Sequence, residues 1–119
     1  MRDELRAIVR TFGLRGGRSV AVRGVVETAY LDDNRIRLAA KVMTAAGVDA
    51  VVTSTGLAPR GASPLDVELL RGELDPRIGI KAVGGVRTVE EAADLLAAGA
   101  GRIGTSSAAS LHDRALGRP

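Results

Sequence analysis

Strand-like and helix-like segments alternate along this chain at a nearly constant spacing, and no other feature restricts its fold as strongly. Strand patterns begin near residues 19, 49, 77 and 101, in SVAVRGVVE (19–27), DAVVT (49–53), RIGIKAV (77–83) and GRIGT (101–105). Each strand and its following helix therefore occupy 24 to 30 residues. Asp32 caps a predicted helix running to about Ala46, with Ile36, Ala39, Ala40 and Met43 on one face and Gly47 at its end. Ser63, with Pro64 at the first helical position, starts a helix reaching about Leu74. TVEE (88–91) is a capping box leading a helix to Ala98, and a last helix covers 107–115. Leu5, Ile8, Val9 and Phe12 are spaced as one helical face over residues 2–12, and LRGGRS breaks that leading helix.

Alternation with short loops implies parallel strands and right-handed crossovers. Four such units fit either a small doubly wound sheet or half of a (β/α)₈ barrel, and the third strand separates the two. Ile78, Ile80 and Ala82 share one face, while Arg77, Gly79 and Lys81 share the other. A central strand of a doubly wound sheet is apolar on both faces. The expected fold is thus α/β, half of a TIM (β/α)₈ barrel forming one partial domain over 1–119. Its four parallel strands run in the order 1-2-3-4, helices lie on the outer side, and Arg23, Glu27 and Lys81 lie on the concave side.

Composition narrows the function classes. Of 119 residues 45% are hydrophobic, enough for a packed core, but only Phe12 and Tyr30 are aromatic. No apolar run approaches the roughly 18 residues of a membrane span, and MRDELRAIVR has no signal-peptide core, so no membrane partner and a cytoplasmic location are expected. The chain has no cysteine, which removes thiol chemistry. The net charge of +3 comes from basic residues scattered singly, with no aromatic platform, which argues against nucleic acid as a partner. Only two of the 17 basic residues are lysines, and arginine stays protonated. Any amine nucleophile must therefore be Lys41 or Lys81. Lys41 sits on a helix amid Arg35 and Arg37 and reads as a surface residue; Lys81 sits on the third strand, two residues before a glycine turn. His112, in the last helix, is far from the loop ends.

Two consecutive turns read as an anion cradle. VGGVRT (83–88) follows a strand and opens a helix, and GTSSAAS (104–110) repeats the arrangement one unit later. Gly84, Gly85 and Gly104 let backbone approach a ligand, and helix N-termini direct N–H groups at an anion. Loops after the last two strands of a barrel commonly share one phosphate. At the second strand, VVTSTG (51–56) turns into a small polar loop immediately after two hydrocarbon side chains. Glu27, closing the first strand, is placed to pair with Lys81 or to orient a hydroxyl.

Taken together, VVETAYL, DAVVTSTGLAPRGAS and GIKAVGGVRTVEEAADLLAAGAGRIGTS resemble deoxyribose-phosphate aldolase from about residue 19 to 111. The resemblance implies the C-terminal half of a (β/α)₈ barrel of about 250 residues. It implies reversible Schiff-base cleavage of 2-deoxyribose 5-phosphate to glyceraldehyde 3-phosphate and acetaldehyde, with no metal or other cofactor. Carried onto this sequence, the family's second lysine is Lys81, and Thr53, Ser54 and Gly56 belong to the TSTG turn. Gly84, Gly85, Gly104, Thr105 and Ser106 belong to the phosphate loops. The Schiff-base lysine position holds Val52, a basic strand position usually lysine holds Arg23, and the family's aspartate falls on an earlier strand. A truncated, catalytically impaired aldolase-like chain that still holds a small phosphorylated sugar is the expectation. The alternatives are an active half of a split or homo-oligomeric aldolase using Lys81, and a non-catalytic interaction module.

Overall fold

In the computed structural model, residues 2–13 and 20–118 are described. The expected break at LRGGRS lies outside them. The elements are α1 (Arg2–Gly13), β1 (Arg23–Val25), a 3₁₀ turn (Thr28–Tyr30), α2 (Asp33–Ala46), β2 (Ala50–Val52), α3 (Pro64–Glu73), β3 (Gly79–Val83), α4 (Val89–Ala98), β4 (Arg102–Gly104) and α5 (Ala108–Ala115). The helices start where the capping residues place them. The Asp32 carboxylate accepts from Arg35 N, and both Ser63–Asp66 and Thr88–Glu91 form reciprocal capping boxes.

The four strands form one parallel sheet in the order β1-β2-β3-β4. Arg23 pairs with Ala50 and Ala50 with Gly79; Val25 pairs with Val52, Val52 with Lys81, and Lys81 with Arg102. Side chains alternate across a strand, so the set Gly24, Val51, Ile80 and Ala82 points one way. These residues are buried against Ile36, Ala40 and Met43 of α2, Val67 and Leu70 of α3, and Leu95 of α4. Val51, Ala82, Ala40, Val67 and Leu70 are all 0% exposed. Full burial of a Val, Ile or Leu side chain contributes about 1.5–3 kcal/mol, so this single layer between sheet and helices holds the fold. Among the described residues no helix covers the opposite face: Val25 is 50% exposed, and Arg23, Gly79 and Arg102 are exposed. This is the helix-outside arrangement of half a barrel.

Two expectations change. The strands are shorter than their sequence patterns, three residues each for β1, β2 and β4. Their hydrogen bonding nonetheless runs on: Val26 N donates to Val52 O at 3.0 Å, Thr28 N to Thr53 O at 2.9 Å and Thr53 N to Lys81 O at 3.1 Å. At the other end, Asp49 N donates to Val22 O and Val22 N to the Asp49 carboxylate. The pairing thus exceeds the stretch of regular strand geometry. On α1 only Leu5 and Val9 pack on the core, beside α2, while Ile8 and Phe12 are 44% and 39% exposed. An Arg6 Nε bond of 3.0 Å to Ala45 O fastens α1 there. No helix among the described residues is long and apolar enough to cross a membrane.

Candidate functional site

The loops at the C-terminal ends of β2 and β3 lie backbone against backbone. A Cβ added to Gly61 would sit 2.0 Å from Gly84 O, and one added to Gly84 would sit 2.7 Å from Gly61 Cα. Gly84 also has φ 101°, a region L side chains rarely enter. Ala62 N donates to Val83 O at 3.1 Å beside this contact. Glycine is therefore required on both sides, and the β2 loop becomes a fixed wall for the β3 turn.

Beyond that wall the β3 and β4 loops enclose a cavity of about 410 Å³, lined by Gly56, Val83 to Arg87, Gly104, Thr105 and Ser106. Six of the expected ligand residues, Gly56, Gly84, Gly85, Gly104, Thr105 and Ser106, are brought together here. Arg87, which carried no role in the sequence reading, adds a cation to the rim. The N-terminus of α4 is less open to an anion than expected, because the Glu91 carboxylate already accepts from Arg87 N and Thr88 N. Those two N–H donors hold the Glu91 carboxyl below its ordinary value. On the β4 side, Thr105 Oγ1 donates to Val86 O at 2.6 Å and accepts from Ser107 N at 3.0 Å, joining the two turns.

Thr53 and Ser54 do not line this cavity. They are 0% and 2% exposed, and their hydroxyls have internal partners. Val83 N donates to Thr53 Oγ1 at 3.1 Å, and Ser54 Oγ donates to the same oxygen. The Thr53 side chain thereby continues the β2–β3 ladder past the last strand residue. Glu27 meets Thr55 rather than Lys81: its carboxylate accepts from Thr55 N at 3.2 Å and from Thr55 Oγ1 at 2.5 Å. Of the two roles expected for Glu27, orienting a hydroxyl is the one the structure has. Glu27 adopts φ 56°, the sole left-handed non-glycine among the described residues.

Lys81 lies on the concave face between Val52 of β2 and Arg102 of β4. Its Cε would be 3.0 Å from a Cβ at Gly104, but Lys81 does not line the 410 Å³ cavity; it lines a second one, of about 370 Å³, with Arg23, Arg77 and Arg102. Lys41 is on the outer surface, 3.9 Å from Glu73, and His112 is exposed on α5. No group of three His, Cys, Asp or Glu side chains is placed to hold a metal ion among the described residues.

One polar centre escaped the sequence reading. Asp66, 3% exposed, accepts from Arg60 Nη1 at 2.6 Å, Thr28 Oγ1 at 2.9 Å and Ser63 N at 3.2 Å. Arg60 also donates to Gly61 O at 2.9 Å. Burial opposes ionisation of Asp66, yet these hydrogen bonds and the guanidinium charge outweigh it and keep its carboxyl below the ordinary value. The centre ties the β1 loop, the β2 loop and the start of α3 to one another. Ser63 followed by Pro64 revealed the helix start; nothing local marked Asp66 as buried or Arg60 as its partner.

The sheet, its single outer layer of helices and the paired glycine loops define a (β/α)-barrel protein of which about half is present here. Solved structures agree. A protein titled "QR15, an Aldolase" superposes with a TM-score of 0.85 at 39% identity, over 98% of this chain and 50% of that one. The tetrameric deoxyribose phosphate aldolase of Aeropyrum pernix gives 0.79 at 32% identity, over 96% and 48%. By sequence, the deoxyribose-phosphate aldolase of Aquifex aeolicus is 44% identical over 79% of this chain and 43% of its own length. That of Methanocella arvoryzae is 44% identical over 96% and 48%. No family model matches. The chain belongs to the deoxyribose-phosphate aldolase family and spans about half the length of the curated relatives it matches.

Proposed function

We propose that this chain is the phosphate-holding half of a deoxyribose-phosphate aldolase barrel and that it forms no Schiff base at position 52. The observation that carries the reading is the cavity between the 84–87 and 104–106 turns. It gathers glycine backbone, hydroxyls and Arg87 at the strand ends. Backbone N–H groups and a guanidinium suit the phosphate of a small phosphorylated sugar. Schiff-base chemistry needs an amine nitrogen to attack the carbonyl carbon and expel water. Val52 offers hydrocarbon where the family places that lysine. Completion of the barrel by its other half would enclose the site, and the reaction expected of the family is not expected of this half alone.

Titration with inorganic phosphate, followed by amide NMR shifts, tests the reading. Shifts centred on Gly84, Gly85, Gly104 to Ser107 and Arg87 are expected; shifts elsewhere, or none at millimolar phosphate, would remove it. A second reading, with Lys81 as nucleophile, is favoured by its place beside Val52 on the concave face. Borohydride trapping with 2-deoxyribose 5-phosphate separates the two. The first reading expects no covalent adduct by mass spectrometry, and an adduct on Lys81 would establish the second.

A further inference from the structure

Glu27 holds a backbone conformation that glutamate rarely adopts, with φ 56° and ψ 65° in the left-handed region. Strain of this kind persists only where the surroundings fix it. Here it aims the carboxylate across to the β2 loop, where it accepts from Thr55 N at 3.2 Å and from Thr55 Oγ1 at 2.5 Å. Among the described residues no Lys or Arg lies within ion-pair distance of Glu27. Its charge therefore serves these two bonds, and an ionised acceptor makes each about twice as strong as a neutral one.

The next residue after Thr55 is Gly56, which lines the cavity between the β3 and β4 turns. Thr55 Oγ1 also accepts from Leu57 N at 3.2 Å, so the threonine is bonded on both sides of Gly56. Packing does not hold this stretch. A Cβ added to Gly56 would meet nothing within 4 Å, and Leu57 is 91% exposed. Among the described residues every hydrogen bond that ties 55–57 to another segment ends on Glu27. The flanks are anchored independently, Thr53 to Val83 N and Gly61 against Gly84. Loss of the carboxylate would thus release the 55–57 turn and leave the loop on either side in place.

We propose that Glu27 is a positioning residue of the anion site: through Thr55 it fixes Gly56 as a wall of the cavity, and phosphate binding depends on that wall being held in advance. The inference rests on the reading of this cavity as a phosphate site and adds to it a residue that does not line the cavity.

The test compares the parent chain with Glu27→Gly, Thr55→Val and Thr55→Ser. Inorganic phosphate is titrated against amide NMR shifts, and urea unfolding is followed by circular dichroism. Glycine takes the left-handed backbone without strain, which offsets the lost bonds, so Glu27→Gly should unfold near the parent's urea midpoint. Its phosphate affinity should nonetheless fall about fivefold, because the wall must then be ordered on binding. Thr55→Val should fall similarly, and Thr55→Ser, which keeps the hydroxyl, should bind as the parent does. Parent affinity in both Glu27→Gly and Thr55→Val would overturn the inference while leaving the phosphate site intact. A Glu27→Gly chain that loses stability and affinity together would make Glu27 a structural residue and overturn it too. Absence of phosphate shifts at Gly84, Gly85 and Gly104 in the parent would remove both readings.

Discussion

Replacing Gly61 by alanine should be among the most damaging single-methyl changes in this chain. The new Cβ would stand 2.0 Å from Gly84 O, 2.3 Å from Gly84 C and 2.6 Å from Gly84 Cα, all backbone atoms of a turn with little freedom to shift. Ordinary contact begins at about 3.4 Å, so the two loops would have to separate by about 1.4 Å. Such a movement exceeds what the 3.1 Å bond from Ala62 N to Val83 O can survive, which costs about 1 kcal/mol. Overpacking against a fixed wall adds about 1–3 kcal/mol. A loss of about 2–4 kcal/mol follows, a large part of the 5–15 kcal/mol typical of a domain. Urea unfolding followed by circular dichroism measures it, and phosphate titration of the variant should show weaker binding because the β3 turn loses its wall. A variant within 0.5 kcal/mol of the parent, with unchanged phosphate affinity, would refute the claim that this contact positions the turn.

Three further outcomes are expected. Asp66→Asn should lower stability at neutral pH by about 1–3 kcal/mol in urea unfolding. Because the folded-state pKa of Asp66 lies below the unfolded one, its contribution is complete above about pH 4 and is lost as pH falls through the folded value, so parent and variant should converge in acid. Asp75 should titrate at about 2 by carboxylate NMR, held down by the Arg77 side chain and backbone N–H, and Arg77→Gln should move it part of the way back towards the ordinary value. Gly104→Ala places a Cβ 2.8 Å from Val83 Cγ2 and 3.0 Å from Lys81 Cε. The lysine should swing aside with the fold retained, and phosphate affinity measured by NMR should fall.

What the sequence showed and what it hid divide along a physical line. Helix starts were legible because a cap involves residues within three positions: Asp32 with Arg35, Ser63 with Asp66, Thr88 with Glu91. The period-two pattern of Ile78, Ile80 and Ala82 identified the outer face, and the sheet follows it. The fate of TSTG was not legible. Polar residues in a loop suggest exposure, yet Thr53 and Ser54 turn inward because the ladder to β3 needs one more acceptor than the backbone supplies. The contacts of Gly61 with Gly84 and of Arg60 with Asp66 and Thr28 depend on how neighbouring loops lie, and no local pattern encodes that. Arg87 followed a glycine turn in plain view; only the closure of the cavity shows which way its rim faces.

The plain strand order has a consequence for how this chain folds. Each ladder joins consecutive units, and the paired residues are never more than 29 positions apart, as in Ala50 with Gly79. A complete barrel must in addition bring its last strand back to its first, across a chain of about 250 residues. That closure spans roughly eight times the separation found here, three doublings, and costs about 1.8 kcal/mol more in loop entropy. Within these four strands no such step is needed: the sheet can assemble unit by unit, each strand adding to the one before.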